Sequence, residues 1–166
     1  MKEKQLDGPE DRLLKAKSDA LRLLGHASRS VEELKTRLKK KKYSDEIVSD
    51  VIDSFKRQGL LDDEKFAKLL AASRSYTRPT GRRQLEFDMR RKGLSKESIG
   101  RAIEGLGEID EKKTARDLVF TRFSKMTGIS DQKKKTRLFG FLKRRGFANE
   151  TIFAVMNELF KDMEAS

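Results

Sequence analysis

Between Lys133 and Arg145 the chain places Lys133, Lys134, Lys135, Arg137, Lys143, Arg144 and Arg145 with no carboxylate among them. Two further stretches have the same character. Residues 29–42 hold Arg29, Lys35, Arg37, Lys39, Lys40, Lys41 and Lys42 against Glu32 and Glu33. Residues 74–92 hold Arg74, Arg78, Arg82, Arg83, Arg90, Arg91 and Lys92 against Glu86 and Asp88. The whole chain is +12 at pH 7, less than these three stretches together, so the remainder is net acidic. Side chains of this type at this density bind phosphates or an acidic protein face, and the phosphate part of such binding weakens steeply with salt. Simple solvation of outer helix faces is the plainer reading. Segregation into three repeating blocks favours a polyanion or acidic-partner surface instead.

Two aromatics sit inside the most basic stretch, Phe139 and Phe141. They can stack on bases or enter a partner pocket; the plainer reading packs them against a neighbouring helix. The binding candidates are therefore Lys35, Arg37, Lys39, Arg74, Arg78, Arg82, Arg83, Arg90, Arg91, Lys133, Lys134, Arg137, Lys143 and Arg144, with Phe139 and Phe141.

Catalytic constellations are absent from the sequence. His26 is the only histidine and there is no cysteine, so thiolate metal sites and disulfides are excluded. His26 lies where a helix should end and suits the dipole or solvent better than base chemistry. Asp62-Asp63-Glu64 suggests a metal at first sight. It follows Gly59-Leu60-Leu61 and precedes an apolar helix, so capping explains it better. Gly105-Leu106-Gly107 lacks the third glycine and the strand of a dinucleotide loop. We expect no enzyme, no metal and no cofactor.

The elements that carry the cations repeat. Lys41-Lys42-Tyr43-Ser44, Arg91-Lys92-Gly93-Leu94-Ser95 and Arg145-Gly146-Phe147-Ala148 are versions of one phrase. Recurrence at such a period signals one supersecondary unit used again. Ser30-Val31-Glu32-Glu33 has the form of a capping box. Behind it Leu34 and Leu38 keep helical spacing, as do Leu85 with Met89 and Leu138 with Leu142. After each phrase runs an i, i+3, i+4, i+7 stripe: Ile47, Val48, Val51, Ile52 and Phe55; Ile99, Ala102, Ile103 and Leu106; Ile152, Val155, Met156 and Leu159. A further amphipathic helix precedes each pair, over roughly 11–26, 63–76 and 110–126.

The pattern predicts an all-α protein of three tandem three-helix repeats, an elongated, curved modular array. Its boundaries are a lead over 1–10 and units over 11–58, 59–107 and 108–166. A charged share of 40%, against about 25% in typical domains, suits small cores and a large surface. Gly93 and Gly146 fall where a left-handed residue should follow the second helix, and Lys42 takes that place in the first unit. Met1-Lys2-Glu3-Lys4-Gln5 leads into no apolar stretch, so the expectation is a cytoplasmic monomer without a signal peptide.

The chain resembles the RecX family of bacterial recombination regulators. The residues that carry the likeness are Ala20-Leu21-Arg22-Leu23-Leu24, Arg29-Ser30, Glu33-Leu34 and Gly59-Leu60-Leu61-Asp62-Asp63-Glu64-Lys65-Phe66-Ala67. Gly81, Leu85, Lys92-Gly93-Leu94 and Arg144-Arg145-Gly146-Phe147 complete it, so the likeness runs from about residue 18 to 160. The resemblance implies binding to the RecA recombinase, chiefly as its filament on single-stranded DNA. It implies a seat in the filament groove, suppression of ATP hydrolysis, strand exchange and coprotease activity, and direct DNA binding of low sequence specificity. It thereby implies a part in DNA repair and the SOS response. The sequence departs from the pattern at Lys42, in place of glycine, and at Ala148, where Ser44 and Ser95 cap. Two other readings stay open: a general nucleic-acid-binding helical repeat with no RecA partner, and a structural adaptor for an acidic protein.

Overall fold

A computed structural model describes residues 8–106 and 110–164. Gly107, the expected boundary beside it, and residues 1–7 of the expected lead lie outside the described residues. Those residues form nine helices: α1 (Pro9–His26), α2 (Val31–Lys40), α3 (Asp45–Arg57), α4 (Asp63–Thr77), α5 (Arg82–Arg91), α6 (Lys96–Glu104), α7 (Glu111–Phe123), α8 (Asp131–Arg144) and α9 (Asn149–Glu164). α1 starts two residues before the expected Asp11, because Pro9 fits the first helical position, where an amide is not needed. α7 stops at Phe123 rather than near residue 126.

In every unit the first and third helices pack together and the second packs on both. Each unit has its own apolar core, centred on Leu34, Leu38, Val51 and Ile52, then Leu85, Met89, Ile99 and Ile103, then Leu138, Leu142, Ile152 and Val155. The expected stripes are buried except at Ile47 and Leu106, which are half-buried and pack against their cores. Leu61, just past the expected first boundary, still packs into the first core. The exposed area is 11445 Å² for 19.1 kDa. A compact protein of that mass exposes about 8400 Å². The difference fits three small cores in an extended array.

Serine caps fix the starts of α2, α3 and α6. Ser30 accepts from the Glu33 amide at 3.1 Å while Glu33 accepts from the Ser30 amide at 3.3 Å, the expected box. Ser44 accepts from the Ile47 amide and Ser95 from the Ser98 amide. α9 begins at Asn149, with Ala148 offering only its backbone carbonyl to Ile152.

The joints between units repeat. At the first, the Ser30 hydroxyl donates to the carbonyl of Lys92, and the Val31 amide donates to Asp63 Oδ1 at 2.9 Å. At the second, the Gly81 amide donates to the carbonyl of Arg145 at 2.8 Å, and the Arg82 amide donates to Glu111 Oε1 at 2.5 Å. So the start of each second helix seats the turn and first helix of the next unit. Gly93 and Gly146 have φ near 78°, yet their need for glycine is greater than the angle. A Cβ at Gly93 would collide with the Glu32 side chain, and one at Gly146 with the backbone of Gln84. Lys42 has φ 64° in the corresponding turn of the first unit, and that turn is not seated on another unit among the described residues.

This separates two costs in thermal or urea unfolding. Gly128→Ala, at φ 72° in open space, should lose only about 1–2 kcal/mol of left-handed strain. Gly146→Ala should lose clearly more, because backbone must also move. Lys42→Gly should be neutral or stabilising, by at most about 1 kcal/mol. Equal losses at Gly128 and Gly146 would remove the close-approach argument.

Candidate partner-binding surface

The basic stretches are α2, α5 and α8 with their flanks. Their cations fall into two groups. Lys39 pairs with Asp45, Arg74 with Asp88, Arg82 and Arg90 with Glu86, and Lys134 with Asp131. Lys35, Arg37, Arg78, Arg83, Arg91, Lys133, Arg137, Lys143 and Arg144 form no ion pair among the described residues. An exposed pair contributes about 0–1 kcal/mol to stability, but it leaves less charge to offer a ligand. The second group leaves its charge open to a ligand.

Helix geometry explains the placement. The carboxylates Glu32 and Glu33 occupy the first turn of α2 and Arg37, Lys39 and Lys40 its last, each complementing the helix dipole. The cationic end of α5 then reaches the first joint. There Arg37 and Lys40 face Arg91 and Lys92 across a cleft of about 300 Å³, with Glu32 and Glu33 at its acidic side. Lys92 bonds Glu33 at 2.7 Å, which leaves Arg37, Lys40 and Arg91 unpaired there.

A second cluster forms at the other joint. Arg145 donates to the Pro79 carbonyl at 2.8 Å and lies 5.2 Å from the Phe141 ring centre. Arg122, from α7, lies 4.6 Å from the same ring. Burial, together with the charges of Arg78 and Arg122, pushes the Arg145 pKa down. No carboxylate pairs with any of these guanidiniums among the described residues. The arrangement can accept an anion between units two and three. Phe141 is thus held between two arginines rather than offered to solvent.

Phe139 is half-buried and packs on Phe153 of α9 at 5.5 Å, as the plainer reading expected. Phe87, under Arg91 at 5.8 Å, is 48% exposed on α5. Phe87, Phe153 and Arg122 were not singled out from the sequence, and Arg145 was counted in its basic stretch but not among the candidates. Phe87 and Phe153 were visible as aromatics outside the buried stripes. Arg122 and Arg145 come together only through tertiary packing.

The acidic run Asp62-Asp63-Glu64 is structural. Asp62 caps α4 by accepting from the amides of Glu64 and Lys65 at 2.9 and 3.0 Å, and those bonds hold its carboxyl below the usual range, against the pull of burial. Asp63 serves the first joint, and Glu64 pairs with Arg101. His26 is exposed as the last residue of α1. No described helix is long and apolar enough to cross a membrane.

These features define an all-α array of three tandem three-helix modules, each with a cationic second helix. Residues 16–55, 62–103 and 110–156 match the families described as RecX first, second and third three-helix domains. The chain is 33% identical to the regulatory protein RecX of Thermobifida fusca over 150 residues, 90% of this chain and 81% of that protein. It is 34% identical to the regulatory protein RecX of Mycolicibacterium smegmatis over 165 residues, covering 96% of this chain and 88% of that one. The crystal structure of RecX from Lactobacillus salivarius superposes with a TM-score of 0.77 at 18% identity, covering 90% of this chain and 97% of that one. The chain belongs to the RecX family.

The second joint is testable through Arg145. Arg145→Met keeps the apolar stem but loses the bond to Pro79, and should lower unfolding free energy by roughly 1–2 kcal/mol. Arg144→Met, at an exposed and unpaired neighbour, should change it by less than about 0.5 kcal/mol. Equal urea midpoints for the two variants would contradict the joint role of Arg145.

Proposed function

We propose that this protein regulates the RecA recombinase by non-catalytic binding to its filament on single-stranded DNA, and that it inhibits ATP hydrolysis, strand exchange and coprotease activity there. The observation that carries the reading is the set of unpaired cations repeated on α2, α5 and α8 of a RecX-family array. In this reading the free guanidiniums and ammoniums meet DNA phosphates or acidic RecA surfaces along the filament groove. Three moderate contacts in series supply avidity that a single unit lacks. Occupied in this way, the groove is closed to incoming duplex. The protein needs no catalytic group for this and acts as a cytoplasmic monomer in DNA repair and the SOS response.

The decisive measurement is RecA ATP hydrolysis on single-stranded DNA with this chain titrated in. Unmodified chain should inhibit. Arg83→Gln/Arg91→Gln/Arg137→Gln/Arg144→Gln should inhibit poorly. It should also flatten the salt dependence of DNA binding, by about 0.7 in log–log slope for each phosphate no longer neutralised. Arg82→Gln/Arg90→Gln, which removes cations already paired to Glu86, should change inhibition less. DNA binding with no effect on RecA would leave a general nucleic-acid-binding repeat in its place.

A further inference from the structure

The third unit carries a groove that the other two have no residues to build. It lies between α8 and α9 and has a volume of about 570 Å³. Phe139, Phe153, Met156 and Phe160 line it, and Lys135 and Lys161 stand among its polar residues. No carboxylate is among the described side chains that line it.

Two of these aromatics have no counterpart in the other units. In register with the repeats, Phe139 replaces Lys35 and Glu86, and Phe153 replaces Ser49 and Gly100. Units one and two close their cores without an aromatic at either place. Yet Phe153 remains 55% exposed, an apolar surface kept in water. Core packing alone does not explain it.

The geometry favours a protein segment over a nucleic acid base. The rings are already engaged with one another or with a cation. Phe139 leans on Phe153 at 50°, Phe160 meets Phe123 edge-on at 5.9 Å, and Lys135 covers the Phe160 ring at 4.7 Å. Met156 and Phe160 are buried, so the open apolar surface is chiefly Phe153 beside the half-buried Phe139, a short ledge suited to aliphatic anchors. The unmatched lysines call for carboxylates beside those anchors.

We infer that this groove docks an acidic, amphipathic segment of the protein partner, with aliphatic side chains between α8 and α9 and carboxylates on Lys135 and Lys161. This rests on RecA being the partner and names the chemistry of the segment it presents. It also separates the roles of the units: the cationic faces are shared by all three, the apolar dock belongs to the third.

The test uses the full chain and gives unit three the residues that unit one carries, Phe139→Lys/Phe153→Ser. The expected result is an unchanged melting profile, affinity for fluorescein-labelled oligo-dT within twofold, and co-sedimentation with RecA filaments at least tenfold weaker. Equal co-sedimentation of variant and unmodified chain overturns the dock. So does a parallel loss of oligo-dT binding, which would make the groove a nucleic acid site. Should the double variant unfold, a photo-crosslinking residue at position 153 replaces it. Mass spectrometry should then find adducts on a RecA segment rich in Asp, Glu and aliphatic residues; adducts on DNA alone, or none while filament binding persists, overturn it equally. Failure of the unmodified chain to sediment with filaments would instead remove the RecA reading itself.

Discussion

The array depends on one steric demand: the backbone turn of one unit must touch the first turn of its neighbour's second helix. At Gly93 the contact is with Glu32, and at Gly146 with Gln84. Only a residue without a Cβ allows that approach, and once it is made the remaining bonds follow. The start of a helix has free amides, and the approaching unit brings an acceptor for one of them, Asp63 or Glu111. Among the described residues no apolar core spans either joint, and the three cores are separate. Hydrogen bonds and close packing therefore set the spacing of units, while hydrophobic burial sets the stability of each.

The same joints organise the charge. Because the acidic first turn of α2 is used in the joint, Lys92 finds Glu33 across it, while Arg91 next to it stays unpaired. Arg145 is held by a carbonyl and by Phe141, and neither it nor Arg78 or Arg122 pairs with a carboxylate among the described residues. Cations without a carboxylate partner among the described residues thus gather at both joints, Arg37, Lys40 and Arg91 at the first and Arg78, Arg122 and Arg145 at the second.

Much of this was legible in the sequence. The apolar stripes of α3, α6 and α9 gave the buried faces, the serine caps gave the helix starts, and the glycines of the repeated phrase marked the left-handed turns. What lay hidden was everything that depends on distance through space. Asp63 reads as part of a capping run, and nothing in its neighbours says that its oxygen serves Val31. Arg82 and Arg83 are indistinguishable along the chain, yet Glu86 one helical turn away takes the first and leaves the second unpaired. Phe139 and Phe141 looked like a pair; the fold sends one against α9 and the other between arginines.

Head-to-tail seating has a geometric hazard, since a surface that accepts an identical neighbour can accept one indefinitely and grow a fibre. The outer surfaces of this array differ from its joints. The first turn carries Lys42, a side chain at the position where the seated turns have glycine. The last second helix, α8, is 14 residues long where α2 and α5 have 10. A copy approaching head to tail would therefore meet a side chain on one side and a longer helix on the other.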